Sequence, residues 1–264
     1  MFTALSLSKA ALRGSLMRRI ATYSTVSSGE KYTLDYKLYC TKKENNEVKK
    51  ISYWHDIDLF EKEPTKNDCG VVRFICEIPR GESGKFEISK EDNLNPIHQD
   101  EKKGKPRYYA APSMIHYGAL PQTWESPLVN ELTDIGSFKG DDDPLDVLDF
   151  SYLPALTGDV YNIRVFGALA LVDQEEMDWK LLGVNVKDPK CSQLRDYLDF
   201  FEAYHNELTN MRQWLINYKI PDGKAANSLA YQGMPIFERE ALERVILPTH
   251  EIYLKHRKNY PNKS

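Results

Sequence analysis

Two periodicities divide this chain, and the border between them lies near Pro189. From Lys31 to Asp178, apolar and polar residues alternate over short runs that turn signals interrupt repeatedly. Residues 32–39 read as a half-buried strand. Residues 71–78 and 85–88 read as the arms of a hairpin turning through 79–84, and residues 160–172 and 179–186 as longer strands. Many short strands with little helix between them predict a closed antiparallel barrel rather than βαβ units. After Pro189, Leu194, Leu198, Phe201, Leu208, Met211 and Leu215 recur at helical spacing, with no Gly or Pro before Pro221. This predicts a long amphipathic helix packed on the barrel. A second helix is expected over residues 237–246, stopped or kinked at Pro248. The fold class is therefore mostly β with packed helices (α+β).

A chain of 264 residues, 41% hydrophobic, can bury a full core. No run approaches the roughly 18 apolar residues of a membrane span. Cys40, Cys69, Cys76 and Cys191 form no CxxC pair and His is scarce, so neither a zinc site nor a disulfide framework is expected. Residues 1–29 stand apart. They hold Lys9, Arg13, Arg18 and Arg19, are rich in Ser, Thr and Ala, and precede the first acid, Glu30. Leu5, Leu12, Leu16 and Ile20 fall on one helical face. This is the composition of a mitochondrial transit peptide, with a disordered basic tail as the alternative, so a matrix location is expected. Residues 30–264 then form a single domain. Without the four basic leader residues, the 39 acids exceed the bases by eight, which argues against nucleic acid as the main partner.

The densest chemistry lies in Gly140-Asp141-Asp142-Asp143-Pro144-Leu145-Asp146. In an extended chain Asp141 and Asp143 point one way and Asp142 the other, and Pro144 supplies a bend that can return Asp146 toward the first pair. Converging carboxylates suit a hard divalent cation such as Mg²⁺; a solvated acidic loop is the alternative reading. An EF-hand is excluded because its sixth loop position needs Gly and here holds Asp146. Asp173 and Asp178 flank a strand turn and so share one rim, while Glu77 and Glu87 lie in strand-like stretches, where carboxylates are usually outward-facing and structural. Lys85 shares a strand face with Glu87; Arg107 follows Gly104-Lys105-Pro106; Tyr218-Lys219 ends the long helix. Carboxylates for Mg²⁺ beside cations for anions describe a phosphate-transfer site. No GxxxxGK[ST] loop is present, and no Ser or Cys nucleophile has a His partner near a motif.

Several segments together carry a family resemblance. They are Glu77-Ile78-Pro79-Arg80, Lys85-Phe86-Glu87-Ile88, Asn95-Pro96-Ile97, Gln99-Asp100 with Lys103-Gly104-Lys105-Pro106-Arg107, and Tyr117-Gly118-Ala119-Leu120-Pro121-Gln122-Thr123-Trp124. The acidic run, Asp178-Trp179-Lys180 and Tyr218-Lys219-Ile220-Pro221-Asp222-Gly223-Lys224 complete the set. In this order they resemble the type I soluble inorganic pyrophosphatases of eukaryotes, most of all the mitochondrial form. The resemblance implies an OB-like five-stranded closed barrel, a homodimer, and hydrolysis of pyrophosphate with several Mg²⁺ ions. It implies metal ligation by Asp141, Asp146 and Asp178, with Asp173 and Glu87 for ions arriving with substrate. Asp143 is implied as the acceptor of the attacking water's proton. Lys85, Arg107, Tyr218 and Lys219 are implied to grip the phosphoryl groups, with Tyr117 as a cavity hydroxyl and Glu77 and Lys180 as accessory groups.

The chain departs from the family pattern between Arg107 and Tyr117, which is shorter than usual. Met114 stands about where that pattern has a tyrosine proposed as proton donor; Tyr117 or a water is the expected substitute. Gly81 replaces the usual aromatic after Glu77-Ile78-Pro79-Arg80, which bears on dimer geometry. Two other readings remain open: a Mg²⁺-dependent phosphohydrolase of another small phosphate substrate, and an inactive binding subunit of the same fold.

Overall fold

The computed structural model describes residues 23–62 and 70–257. The expected leader lies largely outside these residues, as does Cys69; Cys40, Cys76 and Cys191 are buried free thiols. The leader's last residues fall within them. Tyr23–Ser28 is a strand, β1, paired antiparallel with β2 (Lys37–Glu44), so the folded unit starts before Glu30.

The strands continue as β3 (Glu47–Ile51), β4 (Val71–Ile78), β5 (Phe86–Ile88) and β6 (Ile97–Gln99), followed by a small hairpin of β7 (Glu101–Lys102) and β8 (Lys105–Pro106). Then come β9 (His116–Ala119), β10 (Asn130–Thr133), β11 (Gly136–Gly140), β12 (Asp146–Asp149), β13 (Val160–Asp173) and β14 (Glu176–Asn185). A small sheet runs β1-β2-β6-β5, with β3 on β2. A larger one runs β10-β11-β14-β12-β9-β4-β13, and β13 also pairs with β14. The pairings β13–β14–β12–β9–β4 thus lead back to β13.

The expected hairpin of β4 and β5 is not formed. β4 pairs with β13 and β9 in the large sheet, while β5 pairs with β6 in the small one. Phe74, Ile75, Cys76, Glu77 and Ile78 are all buried, so β4 has the character of an interior strand with neighbours on both sides. Residues 32–36 are also not strand. Thr33 N–H bonds Glu30 O and Tyr36 N–H bonds Thr33 O, a tight turn in which Tyr32 has φ +72°.

The expected long helix is two helices, α1 (Tyr197–Ala203) and α2 (His205–Asn217), broken at Tyr204, whose φ/ψ is −127°/24°. Asp196 caps α1 by accepting from the N–H groups of Leu198 and Asp199. In α1 the buried stripe is Tyr197, Phe200 and Tyr204, not Leu198 and Phe201, which are exposed. Three large aromatic faces bury more area than one Leu and one Phe, and they pack against Phe150 and Phe166. In α2, Leu208, Met211 and Leu215 are buried as the spacing predicts.

The C-terminal segment forms α3 (Glu238–Ala241), a π-helical turn at Leu242–Ile246, and α4 (Leu247–His256). Pro248 stands in the first turn of α4, where its missing N–H costs least. The irregularity falls one turn upstream as the π turn, and the helix continues. No described helix is long and apolar enough to cross a membrane.

Candidate active site

The strand register assembles one wall of a cavity of about 540 Å³. Asp178 and Lys180 share a face of β14 because side chains alternate. Asp146 on β12 lies in register with Lys180, and Tyr117 on β9 is diagonal to Asp146, which pairs with Ala119. Lys180, nearly fully buried, donates to both Asp146 and Asp178 and, at 3.0 Å, to Tyr117 Oη. Tyr117 in turn donates its proton to Asp146.

The acidic loop is pinned against residue 125. Asp142 N–H bonds Glu125 O and Glu125 N–H bonds Asp143 O, both at 2.9 Å. A Cβ at Gly140 would sit 2.3 Å from the Glu125 carbonyl carbon, so this approach requires glycine. Asp142, at φ +69°, turns away from the cavity and accepts from Trp124 Nε1 at 2.8 Å. Asp141 and Asp143 face into it, and Lys90 Nζ lies 2.8 Å from Asp143.

The second wall comes mainly from the small sheet and the loops around it. The β4–β9 register shifts between Cys76 and Ile78, leaving Glu77 as the extra residue of a bulge. Its carboxylate faces the cavity and accepts the Ile88 N–H at 2.8 Å. Lys85 pairs with Glu87 and, at 2.9 Å, with Asp100; the same Asp100 holds Arg107 at 3.0 Å. At the end of α2, Tyr218 Oη donates to Asp173 at 2.7 Å, and Lys219 also pairs with Asp173. All thirteen residues singled out from the sequence therefore line this one cavity.

Electrostatics separates the carboxylates. Burial raises Asp178 to about 7 despite Lys180, and lifts Asp141 and Asp143 as well, the former aided by the Asp178 charge. Burial opposes ionisation of Glu87 too, but Lys85 and His98 hold it at about 2. Against burial, the surrounding acids keep Lys85 and Lys180 firmly protonated.

Whether the donor set fits a cation is decided by Glu125, which sequence reasoning missed. Glu125, Asp141 and Asp178 bring ligand oxygens within 4.8 Å of one another. Glu125 Oε1 accepts the Trp179 N–H, whereas its buried Oε2 has no hydrogen-bond partner among the described residues. Burial first, then Asp141 and Asp178, push its carboxyl well up. Three crowded carboxylates with an unmet acceptor fit a hard divalent cation. Asp100 and Lys90 were also missed, because each acts by holding another side chain in place. Met114 is exposed and lies outside the cavity walls, with its carbonyl accepting from Arg80.

Known proteins resemble this chain in sequence and fold. A family model described as inorganic pyrophosphatase matches residues 74–253. The chain is 41% identical over 235 residues to an inorganic pyrophosphatase of Zygosaccharomyces bailii, covering 87% of this chain and 78% of that protein. It is 36% identical over 236 residues to soluble inorganic pyrophosphatase 1, chloroplastic, of Chlamydomonas reinhardtii, covering 89% and 80% respectively. Among solved structures, recombinant inorganic pyrophosphatase from T brucei brucei matches with a TM-score of 0.86 at 31% identity, covering 95% of this chain and 75% of that one. The N-terminally truncated vacuolar soluble pyrophosphatase of Trypanosoma cruzi, solved in complex with PPi, matches at 0.84 and 32% identity, covering 98% and 100%.

A β-rich fold that sets acids and cations across one cavity defines, with these relatives, a hydrolase of phosphoric anhydrides, and the chain belongs to the inorganic pyrophosphatase family. It is an inorganic diphosphatase of the eukaryotic type I kind, hydrolysing pyrophosphate to phosphate.

Proposed function

We propose that hydrolysis depends on Mg²⁺ and proceeds by direct in-line attack of water on one phosphorus. The observation that carries this reading is the meeting of Glu125, Asp141 and Asp178 within 4.8 Å, with Asp141, Asp143, Asp146 and Asp178 lining one cavity. Asp141, Asp146 and Asp178, joined by Glu125, would hold the resident ions; Asp173 and Glu87 would serve ions that enter with substrate. Bound Mg²⁺ supplies charge neutralisation and acidifies water. Asp143 receives the proton of the attacking water; its own carboxyl is raised by burial and held in place by Lys90. Lys85, Arg107, Tyr218 and Lys219 bind phosphoryl oxygens and offset their developing charge. Tyr117 and Lys180 position Asp146, and Glu77 closes the cavity edge. Phosphate release from pyrophosphate, ATP and a simple phosphomonoester, each with Mg²⁺ and with EDTA, tests the reading. Fast release from pyrophosphate alone, abolished by EDTA, is expected; release insensitive to EDTA would overturn the metal dependence.

The returning ladder β13–β14–β12–β9–β4 supports an OB-like closed barrel, though not the wholly antiparallel one expected, because β12 and β14 run parallel. The acid-free basic leader supports import into the mitochondrial matrix, and because Tyr23–Ser28 pairs with β2, residues 1–22 are proposed as the part that can be removed without losing that pairing. Deleting them should leave the protein in the cytosol; continued import would refute the assignment. A homodimer is part of the same reading, with size-exclusion chromatography coupled to light scattering as its test.

A further inference from the structure

The cavity holds three tyrosines, and their hydroxyls are not equivalent. Tyr117 spends its proton on Asp146 and Tyr218 spends its proton on Asp173. Tyr109 lines the same cavity, and among the described residues its hydroxyl has no hydrogen-bond partner. The backbone dictates this orientation. Tyr108 bridges to Gly84, Tyr109 N–H bonds Ser83 O at 2.9 Å, and Ser113 N–H bonds Glu82 O, so residues 108–113 are laid along the 82–84 loop. On that extended stretch neighbouring side chains alternate. Tyr108 goes out to solvent against Tyr32, and Tyr109 goes in. Its ring is held edge-on by Trp214, centroids 5.2 Å apart, and by Tyr218 at 6.4 Å. Its hydroxyl feels the charges of Lys85, Asp146, Arg107 and Lys180, all of which line the same cavity.

We propose that Tyr109 is a further substrate-binding residue whose hydroxyl donates a hydrogen bond to a phosphoryl oxygen of pyrophosphate, beside Lys85 and Arg107. Three observations support it: an unspent donor, a ring fixed by two aromatic neighbours, and a place in the cavity that Lys85 and Arg107 also line. A phenol with no protein acceptor in a polar cavity meets its acceptor when an oxyanion enters. Burial, the largest influence on it, pushes its ionisation up to about 12, so the proton remains available to donate throughout the neutral range. Tyr117, by contrast, must give up its bond to Asp146 before it can donate elsewhere.

The inference rests on pyrophosphate being the guest of this cavity, and the test keeps the two apart. Tyr109→Phe removes one oxygen and keeps the ring packed on Trp214. Steady-state kinetics with pyrophosphate and Mg²⁺ should show kcat/KM lowered on the order of 10- to 100-fold, as for loss of one hydrogen bond to a charged group. Affinity for imidodiphosphate, which is bound but not readily cleaved, should weaken by a similar factor, while the melting temperature and the Mg²⁺ affinity of the free protein stay unchanged. Tyr108→Phe, one residue along and exposed, should leave kinetics and affinity as they were. Unaltered kcat/KM and unaltered imidodiphosphate affinity in Tyr109→Phe would overturn the proposal. A wild-type protein inert toward pyrophosphate would instead sink the reading of the guest, and the Tyr109 assignment with it.

Discussion

Asp142 and Asp143 are adjacent in sequence and identical in chemistry, yet the loop gives them opposite surroundings. Asp143 faces the cavity, whereas Asp142 faces Trp124, and Lys90 reaches the carboxylates of both. Asp143→Asn should fold and bind Mg²⁺ but lose on the order of 10²- to 10⁴-fold in kcat, the range of a general base. Near-normal turnover would remove Asp143 from that role. Asp142→Asn should be almost silent. An Asn oxygen can still accept the Trp124 N–H, and Asn tolerates the left-handed backbone at φ +69°. Asp142→Ala, which loses the acceptor, should melt earlier. Asp142 does turn aside as expected, but through its left-handed backbone at φ +69° rather than through the alternation of an extended chain. Glu125 was not readable, because its approach depends on the missing Cβ of Gly140, a contact between residues far apart in sequence.

At the level of elements, β9 and β4 approach so closely that a Cβ at Gly118 would lie 1.9 Å from the Ile75 carbonyl oxygen. Backbone cannot yield as a side chain tip does. Gly118→Ala should therefore destabilise the protein by about 3 kcal/mol or more, toward or beyond the upper end for overpacking. Chemical denaturation measures it, and a loss under about 1 kcal/mol would show that the strands can part cheaply. The same pair of strands carries the bulge that delivers Glu77. Alternation within residues 71–78 located the strand but misjudged its partner, since sequence adjacency favours a hairpin and burial on both faces favours interior pairing. Similarly, the apolar spacing of Leu194, Leu198 and Phe201 misplaced the buried face of α1, because the rings of Tyr197, Phe200 and Tyr204 carry more buried area. The long strands β13 and β14 were legible, because a continuous apolar run has few other ways to be buried.

For the whole molecule, crowded acids tie stability to pH and to metal. Asp178 is raised from its ordinary 3.8 to about 7, so between those values the folded chain holds a proton that the unfolded chain has released. Its contribution is fully present below about pH 4 and is lost as pH rises through about 7. Asp141 and Glu125, also raised, act in the same sense. Glu87 acts in the opposite one, with a contribution present above its ordinary 4.5 and lost only as pH falls toward about 2. Mg²⁺ must displace the retained protons, so it should raise the melting temperature more at about pH 8 than at about pH 5. An equal rise at both, measured by calorimetry, would mean that these carboxylates do not bind the ion.

The cavity draws its side chains from both sheets and from the end of α2. Lys85 and Glu87 belong to the small sheet and its margins, and Asp146, Asp178 and Lys180 to the large one. The Glu77 carboxylate on the Ile88 N–H and the Lys90 ammonium on the acidic loop span the gap. A guest held by residues of both sheets would add a further link across this gap.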